Sequence, residues 1–294
     1  MRQSITTLCA CLLAGVLSSG CQNFKPVEQF AGQTTAVTAT FTPMLGHSMH
    51  SCTNNVRRKG LIVDRPYAPQ NTEQAATDSC RAYAQALAGS AELNNVLQRY
   101  AGVLAALAND SLSDYKDDIG ALGTSLAGLQ SSGGTPLLDA DKLGKVVQLS
   151  ELLSRVATQR KQAAGIRALL EREEDIYIIS DALKTFAQAN YQANLRDENM
   201  TIATLNSALD AAAAREPLAS SYLKAKLYLD SRQLRERGKL VEAYAAAITE
   251  LQRSISALRV KPMQDPGLAR QLDAFASQVD ILQRQATQYS PVSW

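Results

Sequence analysis

The stretch VEAYAAAITELQRSISAL, residues 241–258, carries the pattern that decides the fold. Apolar side chains recur in it every seven residues along two seams, with Val241, Ile248 and Ile255 in one and Tyr244, Leu251 and Leu258 in the other. This pattern is typical of a helix packed along its length against other helices. Leu227 and Leu234 extend the first seam upstream, but Asp230 and Arg237 interrupt the pattern there. A coiled-coil seam is therefore predicted only from residue 241 onward.

Apolar residues spaced three and four apart continue outward from this stretch in both directions, and no segment shows the alternation of a strand. Aromatic residues are only 5% of the chain, which suits closely packed helices better than sheets. The predicted helices cover 26–60 (kinked or split at Pro43), 72–108, 113–129, 139–161, 163–214 (with a break near Glu173 or Arg196), 217–260 and 268–288. Short connectors favour antiparallel neighbours. The predicted fold class is all-α, an elongated antiparallel bundle of long amphipathic helices.

The stretch SSGGTP, residues 131–136, is the clearest break between helical segments. We place a flexible joint at 131–138. It divides the chain into an N-terminal helical bundle with a disulfide hairpin, residues 26–130, and a C-terminal long-helix bundle, residues 139–294.

The first twenty residues are typical of a secretory signal peptide. Arg2 supplies the positive charge, a short apolar run extends over 8–17, and small residues lead into Cys21. The run is shorter than the roughly 20 apolar residues that a membrane-spanning helix needs. Residues 1–20 are therefore predicted to be removed on export.

The end of this segment, LSSGC at residues 17–21, resembles the lipobox of bacterial lipoproteins, in which the cysteine becomes the lipidated N-terminus. The family usually has leucine three residues before the cysteine, whereas Ser18 holds that place here and Leu17 lies four before. The resemblance implies lipidation of Cys21, a tether at 21–25 and attachment to the lipid bilayer. Because Gln22 replaces the aspartate of the inner-membrane retention signal, it also implies an outer-membrane anchor facing the periplasm of a Gram-negative bacterium. The alternative is an ordinary cleaved signal in which Cys21 is incidental.

Of the five cysteines, Cys9 and Cys11 leave with the signal peptide and lipid occupies Cys21, so two thiols remain. Cys52 lies eight residues before Gly60, and Cys80 lies eight residues after Thr72. If 61–71 connects two antiparallel helices, these equal offsets bring both thiols to one level. An oxidising compartment then favours a Cys52–Cys80 disulfide. Two reduced thiols, or a metal site that uses Cys52, are the alternatives.

The stretch GHSMHSC, residues 46–52, contains both histidines of the chain. His47 and His50 lie three apart on one helix face, and Met44 lies three residues before His47. Copper(I) accepts thioether and imidazole ligands. An oxidised Cys52 could not add a thiolate, and no Cys-rich or His-rich companion occurs elsewhere in the sequence. No metal or other cofactor is predicted, with Met44, His47 and His50 the candidates if one is bound.

No group of residues indicates catalysis. The stretch GTSLAG, residues 123–128, lacks the strand and spacing of a nucleophile elbow, and EREED, residues 171–175, is interpreted as solvated helix charge. Tyr222, Tyr228 and Tyr244 are interpreted as core or interface aromatics. The 30 basic and 28 acidic residues are interspersed, so nucleic acid is not expected as a partner. The chain is therefore predicted not to be an enzyme.

The densest basic patch of the chain consists of Arg232, Arg235, Arg237 and Lys239. Glu236 and Glu242 lie among these cations, so an exposed helix face of mixed charge is the simplest interpretation. Anionic lipid head groups or a glycan are the alternative contacts.

Residues 22–294 suggest no named domain family. The leading hypothesis is a non-catalytic, periplasm-facing lipoprotein that acts as a protein-interaction or structural component of the cell envelope, with a protein partner of unknown identity. One alternative is a periplasmic metal or small-ligand binding protein that uses the His47/His50 region. Another is a membrane-tethered immunity or inhibitor protein.

Overall fold

The computed structural model describes residues 23–63, 67–111, 138–159 and 161–288. The predictions on the signal peptide, on Cys21 and on the third helix at 113–129 lie outside these residues, as does nearly all of the joint at 131–138. The helices are α1 (Lys25–Val63), α2 (Pro69–Ser79), α3 (Arg81–Ala108), α4 (Ala140–Gln159), α5 (Gln162–Leu170), α6 (Glu173–Thr185), a π-helical segment (Phe186–Tyr191), α7 (Gln192–Ala212), α8 (Pro217–Val260) and α9 (Pro266–Gln288). No strand occurs in the described parts of the chain, which confirms the all-α helical bundle.

The second half of α8 lies at the centre of the bundle. All six residues of the two predicted seams are buried there, and Leu227 and Leu234 are buried as well. A turn at 261–265 sends the chain back as α9, which packs along α8. Asp265 begins α9 as its N-cap, since its Oδ1 accepts the backbone N–H groups of Gly267 at 2.6 Å and Leu268 at 3.1 Å.

Helix α1 joins the two parts of the chain. It packs against α2 and α3 on one side and against α7, α8 and α9 on the other. The rings of Phe30 and Phe275 lie 5.9 Å apart, and those of Phe41 and Tyr244 lie 5.1 Å apart. The segments 26–130 and 139–294 therefore contribute side chains to one hydrophobic core. The division at 131–138 stays a prediction.

The helix boundaries differ from the predicted ones at three places. Helix α1 runs through Pro43 to Val63 without being split. The second predicted helix is divided at Cys80, which ends α2 and precedes α3. The predicted helix at 163–214 breaks at 171–172, as expected near Glu173 and not at Arg196, but the π-helical segment Phe186–Tyr191 is a further interruption that was not predicted. None of the helices in the described residues is both long and apolar enough to cross a membrane.

Candidate functional site

A cleft of about 520 Å³ opens between the last third of α1, the middle of α7 and the first half of α8. Its size falls within the usual range for small-molecule sites. Its lining consists of the charged residues Arg57, Arg58, Glu198, Lys226, Asp230 and Arg237, the polar residues His47, His50, Asn54 and Gln233, and the leucines Leu61, Leu223, Leu227 and Leu234. Charged groups and leucines thus face the same space.

A buried charge network fixes the walls of the cleft. The Arg58 guanidinium of α1 donates to Glu198 of α7, and its Nη2 donates to Asp230 of α8 at 2.7 Å. Glu198 is only 1% exposed, and its other carboxylate oxygen accepts the hydroxyl hydrogen of Ser51. Removing charges from water is costly unless they are paired and hydrogen-bonded, which they are here. One arginine therefore ties three helices together at the site.

His47 and His50 lie on the α1 wall, close to the Arg237 guanidinium. Burial, followed by the charge of Arg237 and then that of His50, lowers the pKa of His47 to about 4. Burial and Arg237 also lower the pKa of His50, although Glu198 acts in the opposite direction. Both causes favour the uncharged imidazole. The cleft thus presents neutral hydrogen-bonding rings at pH 7.

The three metal candidates are not brought together. Met44 is fully buried in the hydrophobic core, whereas His47 and His50 line the cleft. Among the described residues, no group of three or more His, Cys, Asp or Glu side chains is placed to hold a metal ion. The nearby positive charge of Arg237 also opposes a cation at the two imidazoles.

The two predicted cysteine partners meet beside the cleft. The Sγ atoms of Cys52 and Cys80 lie at disulfide distance, 2.08 Å, and their Cα atoms are 6.2 Å apart. Below them, Arg57 of α1 binds Glu73 of α2 through two N–H donors, each at 2.7 Å. The predicted pairing is confirmed, and it joins α1 to the junction between α2 and α3.

A second feature of the first half of α8 is an outer stripe of apolar side chains, Leu218, Tyr222, Ala225 and Leu229. At about 100° per residue these four positions fall within about 60° of one another. Leu218 is 84% exposed and Tyr222 is 74% exposed, and Tyr228 is exposed at the edge of the stripe. The opposite face of the same helix packs into the bundle through Ser220, Leu227 and Leu234. The first half of α8 is therefore apolar on two opposite faces.

The position of Arg237 differs from its prediction, and the outer stripe was not predicted. The sequence places Arg237 in an exposed basic patch, but it is only 4% exposed, whereas Arg232, Arg235 and Lys239 are exposed as expected. Position 237 turns toward α1, a contact that local spacing does not show. Of the three tyrosines, Tyr244 is buried, while Tyr222 and Tyr228 are exposed. Two interleaved apolar periods in PLASSYLKAKLYLD, residues 217–230, were the available signal.

Comparisons of the chain with protein-family models, with curated proteins and with solved structures find no match. The function is therefore proposed from the sequence, the cleft and the outer stripe.

Proposed function

We propose that this chain is a non-catalytic lipoprotein, anchored in the outer membrane through Cys21 and facing the periplasm, whose helical bundle binds another protein of the cell envelope. The observation that carries the proposal is the outer stripe. Scattered apolar side chains are normal on a protein surface, but a helix that is apolar on its solvent face at regular spacing indicates a contact surface.

The spacing of the outer stripe fits a helix of the partner. Successive members lie four, three and four residues apart, which is the spacing of one seam of a two-helix contact. Tyr222 and the neighbouring Tyr228 also supply large side chains with a polar end, which are enriched at protein interfaces. Helix α8 would thus bind the bundle with one face and the partner with the other.

The position of the outer stripe favours a protein partner over the anchoring membrane. Helix α1 begins at Lys25, four residues after the proposed lipid site. The ion pair between Arg58 and Asp230 sets the first half of α8 beside the far end of α1. At 1.5 Å per residue, that level lies about 50 Å along α1 from its first turn. On an outer-membrane anchor, the stripe would be held well away from the lipid.

The charge arrangement of the cleft supports binding rather than catalysis. Its two carboxylates, Glu198 and Asp230, are both held by Arg58. Its two imidazoles are uncharged beside Arg237. An acid–base pair in catalysis needs groups that are poised to exchange protons with a substrate. Because the carboxylates of the cleft are fixed in ion pairs with Arg58, the cleft is better suited to binding a molecule than to exchanging protons with it.

The partner is tested by crosslinking the envelope of cells that carry the wild-type chain or the double variant Leu218→Ser/Tyr222→Ser, followed by purification in detergent. We expect a stoichiometric crosslinked partner with the wild type and an about tenfold lower yield with the double variant. The matched control is Val260→Ser, because Val260 is 71% exposed on the same helix but lies outside the stripe. No stoichiometric partner, or equal yields from all three chains, would contradict the proposal.

The anchor is tested separately by growing cells with radiolabelled palmitate. The wild-type chain should take up label and fractionate with the outer membrane, whereas Cys21→Ser should take up none. Equal labelling of the two chains, or an unprocessed N-terminus by mass spectrometry, would contradict the lipoprotein assignment. Neither result would affect the proposal of a protein partner.

A second candidate function, small-ligand binding, is favoured by the size and composition of the cleft. Its metal version is tested by titrating copper into the purified chain, with His47→Ala/His50→Ala as the control. Because Arg237 lies close to both imidazoles, we expect no binding that depends on them. Tight binding lost in the double variant would restore a metal site.

A further inference from the structure

The cleft contains more positive than negative side chains. Four of its lining residues are cationic, namely Arg57, Arg58, Lys226 and Arg237, whereas only Glu198 and Asp230 are carboxylates. Arg58 holds both carboxylates, and Lys226 lies 3.9 Å from Asp230. The acidic side chains are therefore occupied by groups of the protein, and the lining as a whole favours an anion.

The arginines of the cleft can add a ligand to the partners they already have. A guanidinium carries five N–H donors in a fixed plane, which suits carboxylate and phosphate oxygens. Arg57 uses two donors for Glu73, on the outer side of α1. Arg237 is a buried charge, 4% exposed, on the α8 wall. In a partly desolvated cleft, hydrogen bonds from such groups to an anion are stronger than they would be in water.

The neutral imidazoles and the leucines complete the description of the ligand. His47 and His50 are uncharged beside Arg237, so they offer hydrogen bonds without adding charge. Four leucines form the apolar part of the lining, two of them, Leu227 and Leu234, buried against the bundle. A bare inorganic ion would leave this apolar wall without a contact.

We propose that the cleft between α1 and α8 binds a small amphiphile, a molecule with one carboxylate or phosphate group on an apolar body. Arg237 and Arg57 contact the anionic group, and the leucines of α8 contact the apolar body. This site is distinct from the outer stripe, which lies on the opposite face of α8. The inference depends on neither the lipid anchor nor a protein partner.

The test is calorimetric titration of the full chain carrying Cys21→Ser, which needs no detergent because it lacks the proposed lipid. Three probes are compared below their micelle concentrations: dodecanoate, dodecyltrimethylammonium with the same alkyl chain and the opposite charge, and acetate as the head group alone. We expect dodecanoate to bind at least about tenfold more tightly than either of the others. Equal affinity for the two alkyl probes would contradict the anion site. Equal affinity for acetate and dodecanoate would contradict the apolar contact.

The site is assigned with matched charge removals. Arg237→Gln should weaken dodecanoate binding about tenfold. Arg235→Gln, which removes the same charge from an exposed position of α8 outside the cleft, should leave it within about twofold. Arg57→Gln keeps the test decisive if Arg237→Gln does not fold, since its side chain lies at the exposed edge of the cleft; it should weaken binding at least threefold. Equal effects of the cleft variants and Arg235→Gln would overturn the assignment.

Discussion

The two halves of α8 belong to one continuous helix but are stabilised by different interactions. From Val241 to Leu258 the helix buries two apolar seams in the bundle. Several of its other side chains are partly or fully exposed, and Thr249 and Gln252 hydrogen-bond to α6. From Pro217 to Arg237 it buries one face, exposes an apolar stripe on the other, and meets α1 through Arg58 and Asp230. Apolar burial is non-directional, whereas an ion pair holds specific atoms in register. The second half of α8 therefore supports the core, and the first half positions a surface and a cleft.

The charge network should give the largest loss of stability if this comparison is correct. Arg58→Ala leaves the buried Glu198 carboxylate without its cation, and we expect a loss of about 4 kcal/mol in the free energy of unfolding. Arg57→Ala is the matched control, because its pair with Glu73 is solvent-exposed and should cost less than about 1 kcal/mol. The side chains are 12% and 38% exposed, respectively. Urea denaturation of the two variants measures the difference.

Equal losses in the two arginine variants would contradict this account. They would mean that burial of the network does not distinguish it from a surface pair. The first half of α8 would then be held mainly by its apolar contacts, including those of Leu227 and Leu234.

Truncation of an apolar side chain should destabilise the protein more in the second half of α8 than in the first. Ile248→Ala in the second half removes a fully buried side chain, and we expect a loss of about 3 kcal/mol. Leu218→Ala in the first half removes an exposed side chain and should change stability by less than about 0.5 kcal/mol. Thermal unfolding of both purified variants provides the comparison. A large loss from Leu218→Ala in the isolated chain would show that the outer stripe is covered by the protein itself.

The buried faces of the second half of α8 could be predicted from the sequence because they follow a regular repeat. A seven-residue repeat of apolar side chains states which faces are buried, whatever the identity of the neighbours. The Cys52–Cys80 pair was predictable for a related reason, since two helices joined by a short connector run antiparallel and bring equal offsets together. Neither prediction requires knowing which distant segments of the chain pack together.

The cleft was not predictable in the same way because its residues come from distant segments. Arg58 is separated from Glu198 by 140 positions and from Asp230 by 172. The sequence shows Asp230 only as an interruption of a seam, and Arg237 as an interruption and as part of a basic patch. In the structure each of them lines the cleft, so the departures from the apolar pattern marked the site. Which charges would meet depended on the packing of α1 against α7 and α8, which no local period encodes.

Lowering the pH should reduce the free energy of unfolding through the two histidines of the cleft. The folded chain holds the pKa of His47 at about 4, compared with 6.5 when unfolded, so the unfolded chain binds an extra proton between these values. The stabilising contribution is complete above pH 6.5 and is lost as the pH falls toward 4. His50 acts in the same direction. The charge of Arg237 acts on both rings, whereas Arg57, Arg58 and the carboxylate of Glu198 act on His50.

We expect the wild type to lose about 1 kcal/mol more than His47→Gln between pH 7.5 and 5.0, after allowance for solvent screening at this half-buried position. Urea midpoints of both chains at the two pH values measure it. Parallel losses would mean that His47 titrates normally in the folded chain and that the positive charge of Arg237 does not reach it.

The smallest predicted effect is a gain in stability rather than a loss, and it concerns Tyr244 in the second half of α8. Its hydroxyl is buried and has no hydrogen-bond partner among the described residues, and burial raises its pKa well above the usual value. Its ring packs on Phe41, so Tyr244→Phe keeps the apolar contact and removes only a costly polar group. We expect a gain of about 0.5 kcal/mol. Tyr100→Phe is the control, because the Tyr100 hydroxyl donates to the Leu169 carbonyl at 3.3 Å, and its removal should cost up to about 1 kcal/mol. If thermal unfolding shows that both variants lose stability alike, the Tyr244 hydroxyl makes a stabilising polar contact, and the buried seam at this position is not purely apolar.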